Sequence, residues 1–296
     1  MIKPYIFRYA LFLVISAVHL AGTGFASPQQ TRLSIHKLLA ELESSSNGRI
    51  GVFAINTENN MDIEYHATEH FPFQSTFKVM GVAAILKQSM GDSHFLQQKL
   101  TYTKEDLVDW SPVTEKHLAD GMTISELCAA TLMFSDNTAI NLLMKKLGGP
   151  EVVTDFAHSI GNKTFKLNSW EPVLNSNPAE LGDTDTPEAM GTSLRKLALG
   201  NILASKQREQ LLGWLKSNTT GNSRIRAGIP KSWVVGDKTG TGSYGVTNDI
   251  AIIWPPQSPP IIMAIYFSTQ NKNDTQNHDD VIASASRILI SSFKIA

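Results

Sequence analysis

The sequence has one cysteine, Cys128, in 296 residues. An internal disulfide is therefore excluded, and so are a Cys-x-x-Cys redox pair and a cysteine-rich zinc site. Cys128 lies in the apolar stretch Leu127-Cys128-Ala129-Ala130 and is expected to be a buried core thiol. The eight histidines show no His-Glu-x-x-His pattern and no other pairing at ligand spacing. No metal is expected on that ground, and no cofactor. Formal net charge is only −1, with no run of like charge, which argues against a nucleic-acid partner. There are no internal repeats and no low-complexity linker.

What is present is an ordinary globular balance, 42% hydrophobic and 18% charged. The length permits one large domain or two intimate subdomains around a well-buried core. At the start, Lys3 and Arg8 precede an apolar run over 9–21, and Gly24-Phe25-Ala26 then offers small residues. This pattern predicts an export signal over 1–26, cleaved after Ala26. The run is too short to span a bilayer comfortably, and no cysteine stands at the cleavage site for a lipid anchor. The mature protein is expected to be secreted, periplasmic, free of the membrane and monomeric. Loss of Lys3 and Arg8 takes its formal charge from −1 to −3.

Apolar spacing predicts a helix over 31–42, where Ile35, Leu38, Leu39 and Leu42 share a face. Strands are expected over 49–56 and 62–67, with Asn56, Asn59 and Asn60 in the turn. Helices follow over 77–90, 123–134, 137–147 and 194–203. Thr123 and Glu126 form a capping-box signal, and Gly148-Gly149-Pro150 is a helix stop. Strands return over 233–238, 244–254 and 261–268, and a last helix starts near Asp279-Asp280. The expected architecture is α/β: a sheet subdomain from 27–69 and 217–296, with an inserted all-helical subdomain over 70–216. The cleft between them is the natural place for a site.

Three short motifs carry chemistry. In Ser75-Thr76-Phe77-Lys78, a serine at a helix start places a lysine one turn on, within reach of the hydroxyl. The helix N-terminus there also offers N–H groups to a developing oxyanion. Alone, this reads more readily as a capping serine and a surface lysine. Ser135-Asp136-Asn137 interrupts two apolar helices, and alone is a helix break with a capping residue. Lys238-Thr239-Gly240, followed by Thr241, ends a strand. It reads either as an edge turn or as a carboxylate site that glycine lets a ligand approach.

The three motifs in this order resemble the signature of class A β-lactamases and penicillin-binding proteins. The resemblance to class A β-lactamases extends along essentially the whole mature length. It implies the β-lactamase/transpeptidase-like fold, an antiparallel sheet flanked by terminal helices with an inserted helical subdomain. Trp170-Glu171-Pro172-Val173-Leu174-Asn175 resembles that family's omega-loop motif, whose glutamate transpeptidases characteristically lack. By resemblance, Ser75 is the nucleophile and Glu171 the deacylation base. Lys78 and Glu171, the latter through a water, compete as acylation base. Ser135 relays a proton to the lactam nitrogen, and the N–H groups of Ser75 and Thr241 form the oxyanion hole. Asn175 helps hold the water and Asn137 binds the substrate's amide. Lys238, Thr239, Gly240 and Thr241 form the carboxylate site, which Arg224 supports. Trp110 resembles an aromatic gate at the cleft mouth.

Thr241, Arg224 and Trp110 together resemble the carbapenem-hydrolysing branch, although the disulfide of many such enzymes is replaced here by Gln74 and Gly242. Ser169 stands where many members place an arginine that pairs with the counterpart of Asp183, and 175–183 is about one residue short. The rival readings are a penicillin-binding D,D-peptidase and a non-hydrolysing β-lactam sensor. Glu171 argues against the first, because a serine acyl-enzyme persists unless a general base delivers water to it, and the expected lack of a membrane-spanning segment after Ala26 argues against the second.

Overall fold

The computed structural model describes residues 28–174, 182–269, 271 and 273–293. The expected export signal and Asn175 lie outside the described residues. Helix α1 (Pro28–Ser45) leads into β1 (Gly48–Asn56), which turns back as β2 (Met61–Tyr65). The asparagines of that turn act as expected. Asn56 Oδ1 accepts from Glu58 N and Asn59 Oδ1 from Met61 N, both at 2.9 Å, while Asn60 takes a left-handed φ of 56°.

A short strand β3 (Phe71–Pro72) and a 3₁₀ turn over Gln74–Phe77 then introduce α2 (Lys78–Ser89). The continuous run from Lys78 to Leu86 is buried on every face, so α2 is the axis of the helical body. Around it come short strands β4 (Lys99–Leu100) and β5 (Met122–Thr123), then α3 (Ile124–Met133), α4 (Asn137–Leu147) and α5 (Pro150–Ser159). The capping box at Thr123 and Glu126 is formed, and Gly148 ends α4 at a φ of 113°. After β6 (Thr184–Asp185), α6 (Pro187–Leu199) starts seven residues before the expected 194. Thr186 caps it and Pro187 occupies its first turn, a start signal that outranks the later apolar spacing.

Beyond α7 (Ser205–Lys216) and the single turn α8 (Ile225–Gly228), the chain forms β7 (Val234–Thr241), β8 (Thr247–Trp254) and β9 (Ile261–Thr269), and then α9 (Asp279–Ser292). The sheet order is β2-β1-β9-β8-β7 and every neighbouring pair is antiparallel. Both faces are covered, and so the central strands read as unbroken apolar runs. In β1, Ile50, Val52 and Ala54 join the core under the terminal helices, whereas Phe53 and Ile55 join the core facing the helical body. Strand β7 is the edge strand and continues three residues past the expected end at Lys238. Lys238-Thr239-Gly240 therefore belongs to the strand rather than to the turn after it, paired residue for residue with Ile250, Asp249 and Asn248.

Candidate active site

The cleft opens where the edge strand β7 meets the 3₁₀ turn bearing Ser75. The approach needs glycine. A Cβ on Gly240 would lie 2.7 Å from the Phe73 carbonyl oxygen and 3.0 Å from Gln74 Cβ. A Cβ on Gly242 would lie 2.2 Å from Gln74 Nε2. Gln74 is buried at a left-handed φ of 47°, which carries the chain sharply into the nucleophile turn. Packing of Gln74 on Gly242 thus occupies the positions where a disulfide would otherwise sit.

The cavity measures about 550 Å³ and is lined by Ser75, Trp110, Ser135, Asn137, Glu171, Arg224, Thr239 and Thr241. Lys78 and Lys238 lie beneath its floor with no exposed surface. Ser135, in the left-handed region at φ 58°, joins them. Its Oγ accepts from Lys78 Nζ at 3.2 Å and from Lys238 Nζ at 3.1 Å. With both lone pairs engaged, the Ser135 proton is free to point into the cleft. Lys78 Nζ also donates to Ser135 O at 2.8 Å and Asn137 Oδ1 at 2.5 Å, and lies 3.2 Å from Glu171 Oε1. Burial lowers the Lys78 pKa, against the opposing pull of Glu171. Lys238 is lowered well below the ordinary lysine range, first by burial and then by Lys78.

The loop holding Ser135 is fixed by Asp136. This buried carboxylate caps α4 through Ala139 N at 2.8 Å and accepts from Val113 N, Thr114 N and Thr114 Oγ1. Asn137 donates to Asp109 O at 2.8 Å, keeping one amide proton for a ligand. Trp110 is 64% exposed at the mouth, anchored by Nε1 donating to Phe134 O at 3.1 Å.

Glu171 is held through its backbone, since its N–H donates to Asn141 Oδ1 at 3.1 Å and its carbonyl accepts from Asn141 Nδ2 at 2.8 Å. The Glu171–Pro172 peptide is cis. Ser75 Oγ donates to Glu171 Oε1 at 3.4 Å. The motif leads to the expectation that the Lys78 amine can reach the serine hydroxyl. Among the described residues no hydrogen bond joins Lys78 Nζ to Ser75 Oγ, because the helical turn aims the amine at Ser135, Asn137 and Glu171 instead. Asp183 is also not left without a partner by Ser169. Its Oδ1 accepts from Asn168 N at 2.8 Å and Ser169 N at 3.0 Å, so backbone amides serve where an arginine was missing.

Arg224 stands behind the carboxylate site that it was expected to support. It is buried at 3% exposure, and its fork is spent on protein groups. Nε pairs with Asp279 Oδ1 at 2.7 Å, and Nη1 donates to Gly240 O and Asn248 O, both at 2.8 Å. Nη2 donates to Thr241 Oγ1 at 2.6 Å, which leaves the Thr241 proton free for an anion in the cleft. Arg224 therefore reaches the carboxylate site through Thr241, and it ties the strand end to α9.

Sequence reasoning missed Asn141, Thr220, Asn277 and Asp279 as members of this neighbourhood. Asn141 was findable, four residues after Asn137 on one helix face. Asp279 was read only as a helix-start charge. Thr220 and Asn277 lie in loops with no local signal.

Comparison with known proteins gives one consistent result. The model of the β-lactamase enzyme family matches residues 34–293. The chain is 54% identical over 257 residues to β-lactamase OXY-2 of Klebsiella oxytoca, covering 86% of this chain and 88% of that protein. It is 51% identical over 261 residues to β-lactamase CTX-M-97 of Escherichia coli, covering 88% and 89%. Among solved structures, a β-lactamase from Desulfarculus baarsii superposes with a TM-score of 0.87 at 44% identity, covering 90% of this chain and 99% of that one.

The burial of Arg224 generates a stability prediction. Arg224→Ala strands two buried carbonyls and breaks the Asp279 pair, and should cost about 3 kcal/mol. For a domain of this size that lowers the melting temperature by roughly 6 °C. A thermal melt unchanged within about a degree would show that the tie holds nothing.

Proposed function

Because the chain belongs to the β-lactamase enzyme family, as a class A serine β-lactamase, we propose that it opens the lactam amide of penicillins and cephalosporins through an acyl-enzyme on Ser75 and thereby confers resistance to them. The observation that carries this reading is the hydrogen bond from Ser75 Oγ to Glu171 Oε1. It gives the nucleophile a carboxylate base and puts the same carboxylate where a hydrolytic water must arrive. A D,D-peptidase or a sensor has no use for that arrangement.

Ser75 Oγ attacks the lactam carbonyl carbon while Glu171 takes its proton, directly or through a water. The N–H groups of Ser75 and Thr241 receive the oxyanion. As the C–N bond breaks, the nitrogen takes the free proton of Ser135, Lys78 resupplies it across their 3.2 Å contact, and Glu171 passes the proton it took from Ser75 to Lys78 across 3.2 Å, returning to the carboxylate. Water then attacks the ester carbonyl, Glu171 removes its proton, and Ser75 recovers its own as the acid leaves. The substrate carboxylate lies against Lys238, Thr239 and Thr241, and Asn137 takes the side-chain amide. Asn175 holds the water, and Trp110 closes over the mouth. Residues 1–26 direct export to the periplasm, where the enzyme works as a monomer.

The spectrum extends to carbapenems. Arg224, Asp279 and Thr241 hold the strand side of the oxyanion hole, while Gln74 packed on Gly242 holds the nucleophile side. Deacylation of a carbapenem demands that hole and Glu171 stay in register.

Two measurements test these readings. Glu171→Ala should lose on the order of 10²–10⁴ in turnover and accumulate a penicilloyl adduct by intact-protein mass spectrometry. Preserved turnover with no adduct would remove Glu171 from the mechanism. The parent enzyme should hydrolyse imipenem over many turnovers, equally with and without dithiothreitol, since its only thiol, Cys128, is buried. A single-turnover burst would overturn the carbapenem reading and leave the penicillinase reading standing.

A further inference from the structure

Thr220 sits in the wall of the cleft with its Oγ1 2.6 Å from Thr239 Oγ1. Which hydroxyl donates in that contact depends on a fixed acceptor behind them. Asn218 Oδ1 accepts the backbone N–H of Thr220 at 3.1 Å. A backbone N–H can only donate, so the amide oxygen must face Thr220, and Asn218 Nδ2 then donates to Asp237 Oδ2 at 2.8 Å. Asp237 is itself fixed by Arg226 Nε at 2.6 Å. The turn packs so closely on this carboxylate that a Cβ on Gly221 would lie 1.7 Å from Asp237 Oδ2. Asn218 Oδ1 is therefore a permanent acceptor, and it lies 2.9 Å from Thr220 Oγ1.

Thr220 has one hydroxyl proton and two acceptors for it, Asn218 Oδ1 and Thr239 Oγ1. In the empty cleft the chain can run outward-in, with Thr239 donating to Thr220 and Thr220 to Asn218. A substrate carboxylate only accepts, so Thr239 must turn its proton toward it. Two hydroxyl oxygens 2.6 Å apart cannot face each other with lone pairs alone. Thr220 must then release Asn218 and donate to Thr239. The resulting chain ends on an anion and is stronger for it.

We infer that Thr220 is a positioning residue for carboxylate recognition, whose hydroxyl reverses its donor direction with Thr239 when an anionic substrate binds. This rests on the reading that Thr239 meets the carboxylate of a β-lactam. It assigns to the Arg226–Asp237–Asn218 chain the task of keeping Thr220 oriented when the cleft is empty.

The test compares KM and kcat for benzylpenicillin and its methyl ester in the parent, Thr220→Val, Thr220→Ser, Thr239→Val and the double variant Thr220→Val/Thr239→Val. In Thr220→Val, KM for benzylpenicillin should rise roughly three- to tenfold, the loss of one hydrogen bond to a charged chain, with kcat little changed. The ester should be unaffected, Thr220→Ser should recover the parent KM, and Thr220→Val should add nothing on top of Thr239→Val. If Thr220→Val does not fold, Thr220→Ala carries the same comparison. An unchanged KM, an equal rise for the ester, or full additivity with Thr239→Val would overturn the inference. Turnover by the parent alone tests the hydrolase reading, so the two failures are distinguishable.

Discussion

Two fully buried lysine amines donating to one serine hydroxyl form the constraint on which the rest of this site depends. Lys78 comes from the first turn of α2, Ser135 from the loop between α3 and α4, and Lys238 from the edge strand β7. Burying one ammonium group is costly, and burying two side by side is more so. The cost falls on their charge. Each amine is pulled below its ordinary pKa by burial, and Lys238 also by the neighbouring Lys78. The return is directional. A hydroxyl whose lone pairs are both occupied offers its proton in one remaining direction, toward the cleft.

That constraint explains much of the surrounding order. Ser135 needs a left-handed backbone, and Asp136 supplies the rigidity by accepting from three groups across the loop as it caps α4. Lys238 needs the edge strand pressed against the nucleophile turn, and only Gly240 permits that approach. The strand end is then held from outside by Arg224, whose guanidinium joins Gly240, Thr241, Asn248 and Asp279. Arg224 and Thr241 follow the same logic as Lys78 and Ser135: a cation occupies a hydroxyl's lone pair and frees its proton for the substrate.

Much of this was legible in the sequence, for physical reasons that can be named. Thr123 with Glu126 marks a helix start through side-chain chemistry local to four residues, and that start is where it was expected. The apolar runs of β8 and β9 mark strands covered on both faces. Helix α7 went unread because its sequence carries only Leu211 and Leu215 as buried positions, too few for a periodic signal. In the site, Ser75, Ser135, Glu171 and Lys238 converge from segments far apart in the chain, which the resemblance of their motifs to a known family implied and no single motif did. What local pattern could not carry is where the hydrogen bonds go. That Lys78 turns toward Ser135 and Asn137, that Arg224 is buried, and that backbone amides satisfy Asp183 are consequences of packing between distant segments.

The measurement that bears most directly on this scheme is the pH titration of the lysine side-chain resonances in the resting protein, followed by NMR and assigned with Lys238→Arg. Lys238 should titrate well below the ordinary lysine value of 10.5, because burial and the neighbouring Lys78 both disfavour its charge. A Lys238 that titrates at 10.5 or above would contradict the desolvated, paired-lysine floor beneath Ser135.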